Sequence, residues 1–280
     1  LFPMSDINLM GITEILSRYR FLKRRIRETA EAVIAAKPDV LITVDLPEFS
    51  LRVAKLVKAR SDIRVVHYVA PTVWAWRPGR AAKMAAHVDQ VLALLPFEPP
   101  YMEAAGMRCD FVGHPVVTEP VADAADVAAF RGAHGLGDDV LCVLPGSRRS
   151  EIQRLGRVFG EVVTRLGRER PGLDVILPVA QGREALVEEA VAGWTVAPRL
   201  LSGLDARAKS AAFQASRAAL AASGTVSLEL AAAGCPMVIA YDMGWLSGQI
   251  IGRMLLTDTV TLVNLVSETR AVPEFIGDMC

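Results

Sequence analysis

The sequence predicts an α/β protein built as two Rossmann-like domains of parallel sheet, and three observations carry that prediction. Short apolar runs alternate with amphipathic stretches along all 280 residues. The runs are apolar on both faces, as strands covered by helices on either side must be. A stretch with two prolines and no period, "HPVVTEPVADAAD", reads as a linker near 115–122 and divides the chain into domains 1–116 and 117–280.

The first amphipathic segment, Gly11 to Lys37, sets Ile15, Leu16, Tyr19, Phe21 and Leu22 among Arg18, Arg20, Lys23, Arg24 and Arg25. Strands are expected in the first domain at 39–45, 63–69, 90–97 and 109–114. In the second they are expected at 139–145, 174–180, 217–223, 236–242 and 259–264, with a helix over Ser150 to Arg170. Ligands are expected at the carboxyl ends of such strands.

Composition narrows the function. The chain has 31 basic and 31 acidic residues, so it lacks the net basic footprint of a nucleic-acid surface. It is 52% apolar, yet the longest apolar region, Ala218 to Tyr241, is broken by Ser223-Gly224-Thr225, Glu229 and Gly234-Cys235-Pro236, so no span is expected. Cys109, Cys142, Cys235 and Cys280 have no metal-ligand spacing and read as core residues in a reducing cytoplasm. The start shows no signal-peptide pattern and no initiator Met, as expected of a fragment.

Two strand-to-helix turns suit phosphate. In "VLPGSRRSEIQRL", Pro145 and Gly146 turn the chain, and Ser147 and Arg148 precede a helix start. Amide groups, a positive dipole end and a guanidinium together fit a diphosphate. The alternative is a capping box, Ser150-x-x-Gln153, beside solvated arginines. In "ALAASGTVSLELAAAGCPMVIAY", Ser223, Gly224 and Thr225 lead into a helix carrying Glu229. Glu229 suits ribose hydroxyls; the alternative is a first-turn carboxylate on the helix dipole. Neither turn is a Walker loop or a G-x-G-x-x-G, so these residues leave the cofactor class open.

Trp74 and Trp76 stand before Arg77, Arg80 and Lys83 in "HYVAPTVWAWRPGRAAKM". Amphipathic rings suit a membrane boundary, and Arg77, Arg80 and Lys83 suit an anionic lipid or a substrate's phosphate; the alternative is a tryptophan pair packed beneath a loop.

The segments "VAPTVWAWRPGR", "LPFE", "FVGHP", "LPGSRRSEI", "SGTVSLE", "CPMVIAY" and "VNL", in this order, closely resemble the lipid-A-disaccharide synthases, bacterial glycosyltransferases of the GT-B type. The resemblance covers essentially the whole chain. It implies two Rossmann-like domains with the active site in the cleft between them, an acceptor side in the first domain and a UDP-sugar side in the second. It also implies a first strand with a Gly-Glu-x-Ser-Gly-Asp loop before residue 1 and a helical tail after residue 280, so this chain is expected to be a fragment lacking both ends.

The implied reaction moves 2,3-diacylglucosamine from UDP to 2,3-diacylglucosamine 1-phosphate (lipid X), with no cofactor and no metal; no Asp-x-Asp occurs. Asp45, in the Asp45-x-Pro47-x-Phe49 segment, corresponds to the base, against the alternative that Asp45 and Glu48 only start a helix. Arg148 corresponds to the arginine that neutralises diphosphate. Asn264 closes the expected strand 259–264 and corresponds to a donor-orienting residue. His114 is a cleft candidate with a structural alternative. The implied location is cytoplasmic, peripheral to the inner membrane, and a homo-oligomeric state stays open. Two rivals remain: another UDP-sugar enzyme of the same fold, such as a UDP-N-acetylglucosamine 2-epimerase or the glycosyltransferase of peptidoglycan synthesis, and a non-catalytic nucleotide-binding remnant.

Overall fold

A computed structural model describes residues 2–3, 7, 18–76, 78–242, 256–277 and 280. The chain forms two compact units, Leu1–His114 and Pro115–Cys280.

The first unit runs α1 (Tyr19–Ala36), β1 (Val40–Val44), α2 (Pro47–Lys58), β2 (Arg64–Tyr68), α3 (Gly79–Ala85), β3 (Gln90–Ala93), α4 (Pro99–Glu103) and β4 (Arg108–Phe111). Its strands lie in the order β1-β2-β3-β4 and every pairing is parallel. On one face Val65, Val91 and Cys109 pack with Leu51, Ala54, Ala81 and Met84 from α2 and α3. The start of α2 follows from its sequence: Pro47 supplies a helical φ where no N–H is needed, and Glu48 meets the positive dipole end.

The second unit runs α5 (Ala124–His134), β5 (Val140–Leu144), α6 (Arg149–Glu169), β6 (Asp174–Pro178), α7 (Glu184–Val191), β7 (Arg199–Leu201), α8 (Ala206–Ala215), β8 (Ala218–Ala222), α9 (Val226–Ala232), β9 (Met237–Tyr241), α10 (Leu262–Ser267) and β10 (Glu274–Ile276). The sheet order is β10-β9-β8-β5-β6-β7, again wholly parallel. Helix α6 buries Ile152, Leu155, Phe159 and Val163, a helical stripe. Gly160 has no Cβ because one would sit 2.5 Å from Trp194 Nε1, and that indole instead donates to the Gly156 carbonyl at 3.0 Å.

Parallel sheets covered by helices are the Rossmann-like arrangement expected. Two strand expectations need correction. Residues 259–264 are not a strand: Thr259 and Thr261 are buried in a loop, and helix α10 begins at Leu262. The cause is tertiary, since Glu274 accepts from the Val260 N–H and the Thr261 hydroxyl and fixes that loop. Strands β7 and β10 were not expected; both are sheet edges, and at three residues each they are too short to show a strand period.

Candidate functional site

Strand order places both expected phosphate turns side by side. From β5 the chain builds outward through β6 and β7, then returns to the other flank of β5 with β8, β9 and β10. The order therefore reverses between β5 and β8, the position where α/β sheets open a ligand crevice. Register pairs Leu144 with Ala221, so the turns Pro145–Arg148 and Ser223–Thr225 leave the sheet at one edge.

The first turn already holds an anion. Amides of Ser147 and Arg148 each donate to Glu151 Oε2 at 3.3 Å, and Arg148 Nη1 donates to Glu151 Oε1 at 2.8 Å. Gly146 is at φ +104°, and a Cβ there would meet Glu151 Oε2 at 2.5 Å and Glu151 Cβ at 2.8 Å. The loop after β6 braces the turn, with Arg183 Nε donating to the Ser147 carbonyl at 2.9 Å. The capping pair is thus Arg148 with Glu151 rather than Ser150 with Gln153, two residues earlier than the sequence reading placed it. Glu151 was missed, although a Glu three residues into a helix start is itself a capping signal.

At the second turn, Ser223 Oγ donates to the Val260 carbonyl at 3.2 Å, and the Ser227 hydroxyl donates to the Gly224 carbonyl at 2.9 Å. Thr225 is exposed and caps α9 without a side-chain hydrogen bond. Glu229 lies further along α9 and its carboxylate pairs with the Lys209 ammonium. Asn264 is fully buried inside α10, not at a strand end. Its amide grips Val272 in both directions, Nδ2 donating at 2.9 Å and Oδ1 accepting at 3.0 Å. Asn264 therefore secures the segment that meets Ser223.

In the first unit, Asp45 is exposed at the carboxyl end of β1. Asp45 and Leu46 have φ of +46° and +45°, two successive left-handed residues without glycine, and Val69 after β2 is at +78°. The Asp45 N–H holds the turn by donating to the Tyr68 carbonyl at 3.0 Å. Left-handed backbone at non-glycine residues costs about 1 kcal/mol or more each and concentrates at functional edges.

The tryptophan loop corrects the sequence reading. Trp74 is not lipid-facing: it is 8% exposed, its Nε1 donates to Glu98 Oε1 at 3.3 Å, and it stacks edge-on against Phe97 with centroids 5.2 Å apart. Glu98 is itself buried; burial pushes its carboxyl up, while the Leu95 amide, Trp74 and the Leu94 amide oppose that shift. Trp76 is half-buried and donates to Thr72 Oγ1 at 3.0 Å. Arg80 pairs with Glu48. Arg77 lies outside the described residues. Cys109, Cys142 and Cys235 are core residues as expected, but Cys280 is exposed. Among the described residues no helix is long and apolar enough to cross a membrane, and no cluster of His, Cys, Asp and Glu is placed to hold a metal ion.

Two units of parallel Rossmann-like sheet, the second with an anion-holding turn at a topological switch point, are the components of the GT-B fold. Solved structures agree on the fold. A UDP-N-acetylglucosamine 2-epimerase from Neisseria meningitidis, bound to UDP-N-acetylglucosamine, superposes with a TM-score of 0.61 at 11% identity, covering 93% of this chain and 74% of that one. A UDP-N-acetylglucosamine 2-epimerase-like protein from Listeria monocytogenes gives 0.59 at 16% identity, over 92% and 70%. Sequence relationship is more specific: residues 1–280 match the lipid-A-disaccharide synthetase family, and the chain belongs to it. The lipid-A-disaccharide synthase of Ruegeria pomeroyi is 61% identical over 286 residues, covering 100% of this chain and 71% of that protein. That of Rhodospirillum centenum is 48% identical over 284 residues, covering 100% and 70%. The chain is a glycosyltransferase of lipid A biosynthesis.

Proposed function

We propose that the chain transfers 2,3-diacylglucosamine from its UDP donor to 2,3-diacylglucosamine 1-phosphate, with inversion, giving the β-1,6-linked disaccharide 1-phosphate and UDP. The 6-hydroxyl oxygen of the acceptor bonds to the donor's anomeric carbon as the bond from that carbon to the diphosphate oxygen breaks. The hydroxyl proton passes to a carboxylate, and the bond electrons leave on UDP. Such a displacement needs a base and charge relief for the leaving diphosphate.

The observation that carries this reading is the convergence of two amides and the Arg148 guanidinium on one carboxylate at the switch point. Donors arranged to hold Glu151 have the geometry and charge to hold a diphosphate once Glu151 turns away. Gly146 and Ser147 shape this seat, Ser223, Gly224 and Thr225 border it from the neighbouring strand end, and Glu229 is assigned to the ribose hydroxyls after release from Lys209. The second unit is thereby the donor side and the first the acceptor side. Asp45 is assigned as the base, on the strength of its exposed carboxylate and the left-handed turn that presents it. Acylated substrates favour peripheral work at the inner-membrane surface, with Trp76 and the first unit's cations toward the lipid.

The test is a transfer assay with the acylated UDP donor and the acylated 1-phosphate acceptor. Disaccharide 1-phosphate and UDP formed in equal amounts support the reading, and release of UDP without disaccharide overturns it. Conversion of UDP-N-acetylglucosamine to its 2-epimer would instead favour the epimerase class.

A further inference from the structure

The first unit holds a groove that the reaction above has not used. Helices α2 and α3 both start at the carboxyl edge of the sheet and run back along the same face. On α2, residues 48, 51, 52 and 55 share one face; on and just past α3, residues 80, 83, 84 and 87 repeat that spacing. The two faces enclose about 570 Å³, lined by Glu48, Arg52, Lys55, Arg80, Lys83 and His87. Leu51 and Met84, 9% and 1% exposed, make an apolar floor. The volume lies in the range of small-molecule sites.

Charge in the groove is uneven. Near the starts of the two helices Glu48 pairs with Arg80 and, at 3.3 Å, with Arg52. Toward their ends, the side chains of Lys55, Lys83 and His87 have no carboxylate partner among the described residues. Burial and the neighbouring Lys55 charge hold the His87 imidazole below its usual range, so it is neutral near pH 7 and acts by hydrogen bonding. Helix C-termini attract lysines by their dipoles, which accounts for Lys55 and Lys83 singly but not for two such ends sharing one concave, apolar-floored space.

We infer that this groove is the seat of the acceptor's phosphomonoester, with Lys55, Lys83 and Arg52 as its cationic ligands and His87 as a hydrogen-bond donor. The assignment rests on the transfer reading, because it takes the acceptor from that reaction. A dianionic phosphomonoester matches four cations offset by one carboxylate better than the single charge of a phosphodiester headgroup does. The Glu48–Arg80 end of the groove lies at the edge where Asp45 precedes α2, in the same unit as the assigned base.

The experiment compares the wild-type chain with Lys55→Ala/Lys83→Ala, both exposed positions, with circular dichroism as the check on folding. Arg165→Ala, removing an exposed cation on the second unit, controls for charge alone. The groove assignment predicts an acceptor KM about tenfold or more higher in the double variant, with donor KM and UDP affinity unchanged. An unchanged acceptor KM beside intact UDP binding overturns the groove while leaving the transfer reading intact. Binding to phosphatidylglycerol vesicles that falls while acceptor KM holds also overturns it, assigning the lysines to lipid headgroups. If the wild-type chain transfers nothing, the transfer reading fails, and titration with glucosamine 1-phosphate decides the groove: about tenfold weaker binding in the double variant supports it, and equal binding overturns it.

Discussion

Thr43 Oγ1 and His67 Nδ1 lie 2.7 Å apart across the parallel β1–β2 pair, sealed from solvent two residues before Asp45. The His67 Nε2 has no hydrogen-bond partner among the described residues. Burial lowers the imidazole pKa to about 4, and the nearby Asp45 charge only partly offsets this.

That depressed pKa makes stability depend on pH. The unfolded chain protonates this histidine near pH 6.5, whereas the folded chain resists down to about 4. Between those values the unfolded state binds more protons, so the contribution is complete above the upper value and is lost as pH falls through the window. Urea unfolding at pH 7.5 and 4.5 should show His67 costing the wild type about 2.5 kcal/mol at the lower pH. His67→Gln should remove that increment from the pH profile; parallel profiles for the two proteins would contradict the assignment.

Gly146 cannot be replaced without disturbing the anion seat. In Gly146→Ala the new methyl meets Glu151 at its Cβ, which cannot swing aside as the carboxylate can, and the backbone is left-handed. The expected loss is about 1–3 kcal/mol of stability in chemical denaturation. Wild-type stability in this variant would show that the turn relaxes freely.

In the proposed diphosphate seat, Glu151 occupies the donors that the nucleotide would use. Glu151→Ala should strengthen UDP binding several-fold, about 1 kcal/mol by calorimetry. Melting temperature should fall, because the Ser147 and Arg148 amides lose their acceptor. Unchanged or weaker UDP binding would mean that the carboxylate and the nucleotide do not share the seat.

Trp74 is a core residue, and its removal should behave as a cavity. Trp74→Ala should cost about 3–5 kcal/mol, with Glu98 left buried and short of a donor. Trp76→Ala should cost far less, since that ring is only half-buried. Equal costs for the two variants would refute this division of labour.

Much of this architecture was legible in the sequence because strands buried on both faces are written as continuous apolar runs, as at Val140–Leu144, where every residue is buried. Both strand-to-helix turns were readable for a related reason: Pro145-Gly146 and Ser223-Gly224 punctuate such runs where a helix must begin. What the sequence hid depends on distant partners. Trp74 looked lipid-facing because its acceptor, Glu98, comes 24 residues later. Residues 259–264 alternate like a strand, yet Glu274 and Val272 fold them into a loop and a helix start. The groove between α2 and α3 was half legible: Arg80 and Lys83 stand out beside the tryptophans, but Arg52 and Lys55 look ordinary until the sheet sets the two helices side by side.

The central claim is that the Arg148 turn seats UDP while Asp45 serves only the proton. Calorimetric titration of UDP into the wild type, Arg148→Ala and Asp45→Asn, paired with disaccharide formation by each, tests it most directly. The account predicts at least about tenfold weaker UDP binding for Arg148→Ala, and for Asp45→Asn wild-type UDP binding with transfer reduced by several orders of magnitude. Undiminished UDP affinity in Arg148→Ala, or near-native transfer by Asp45→Asn, would contradict it.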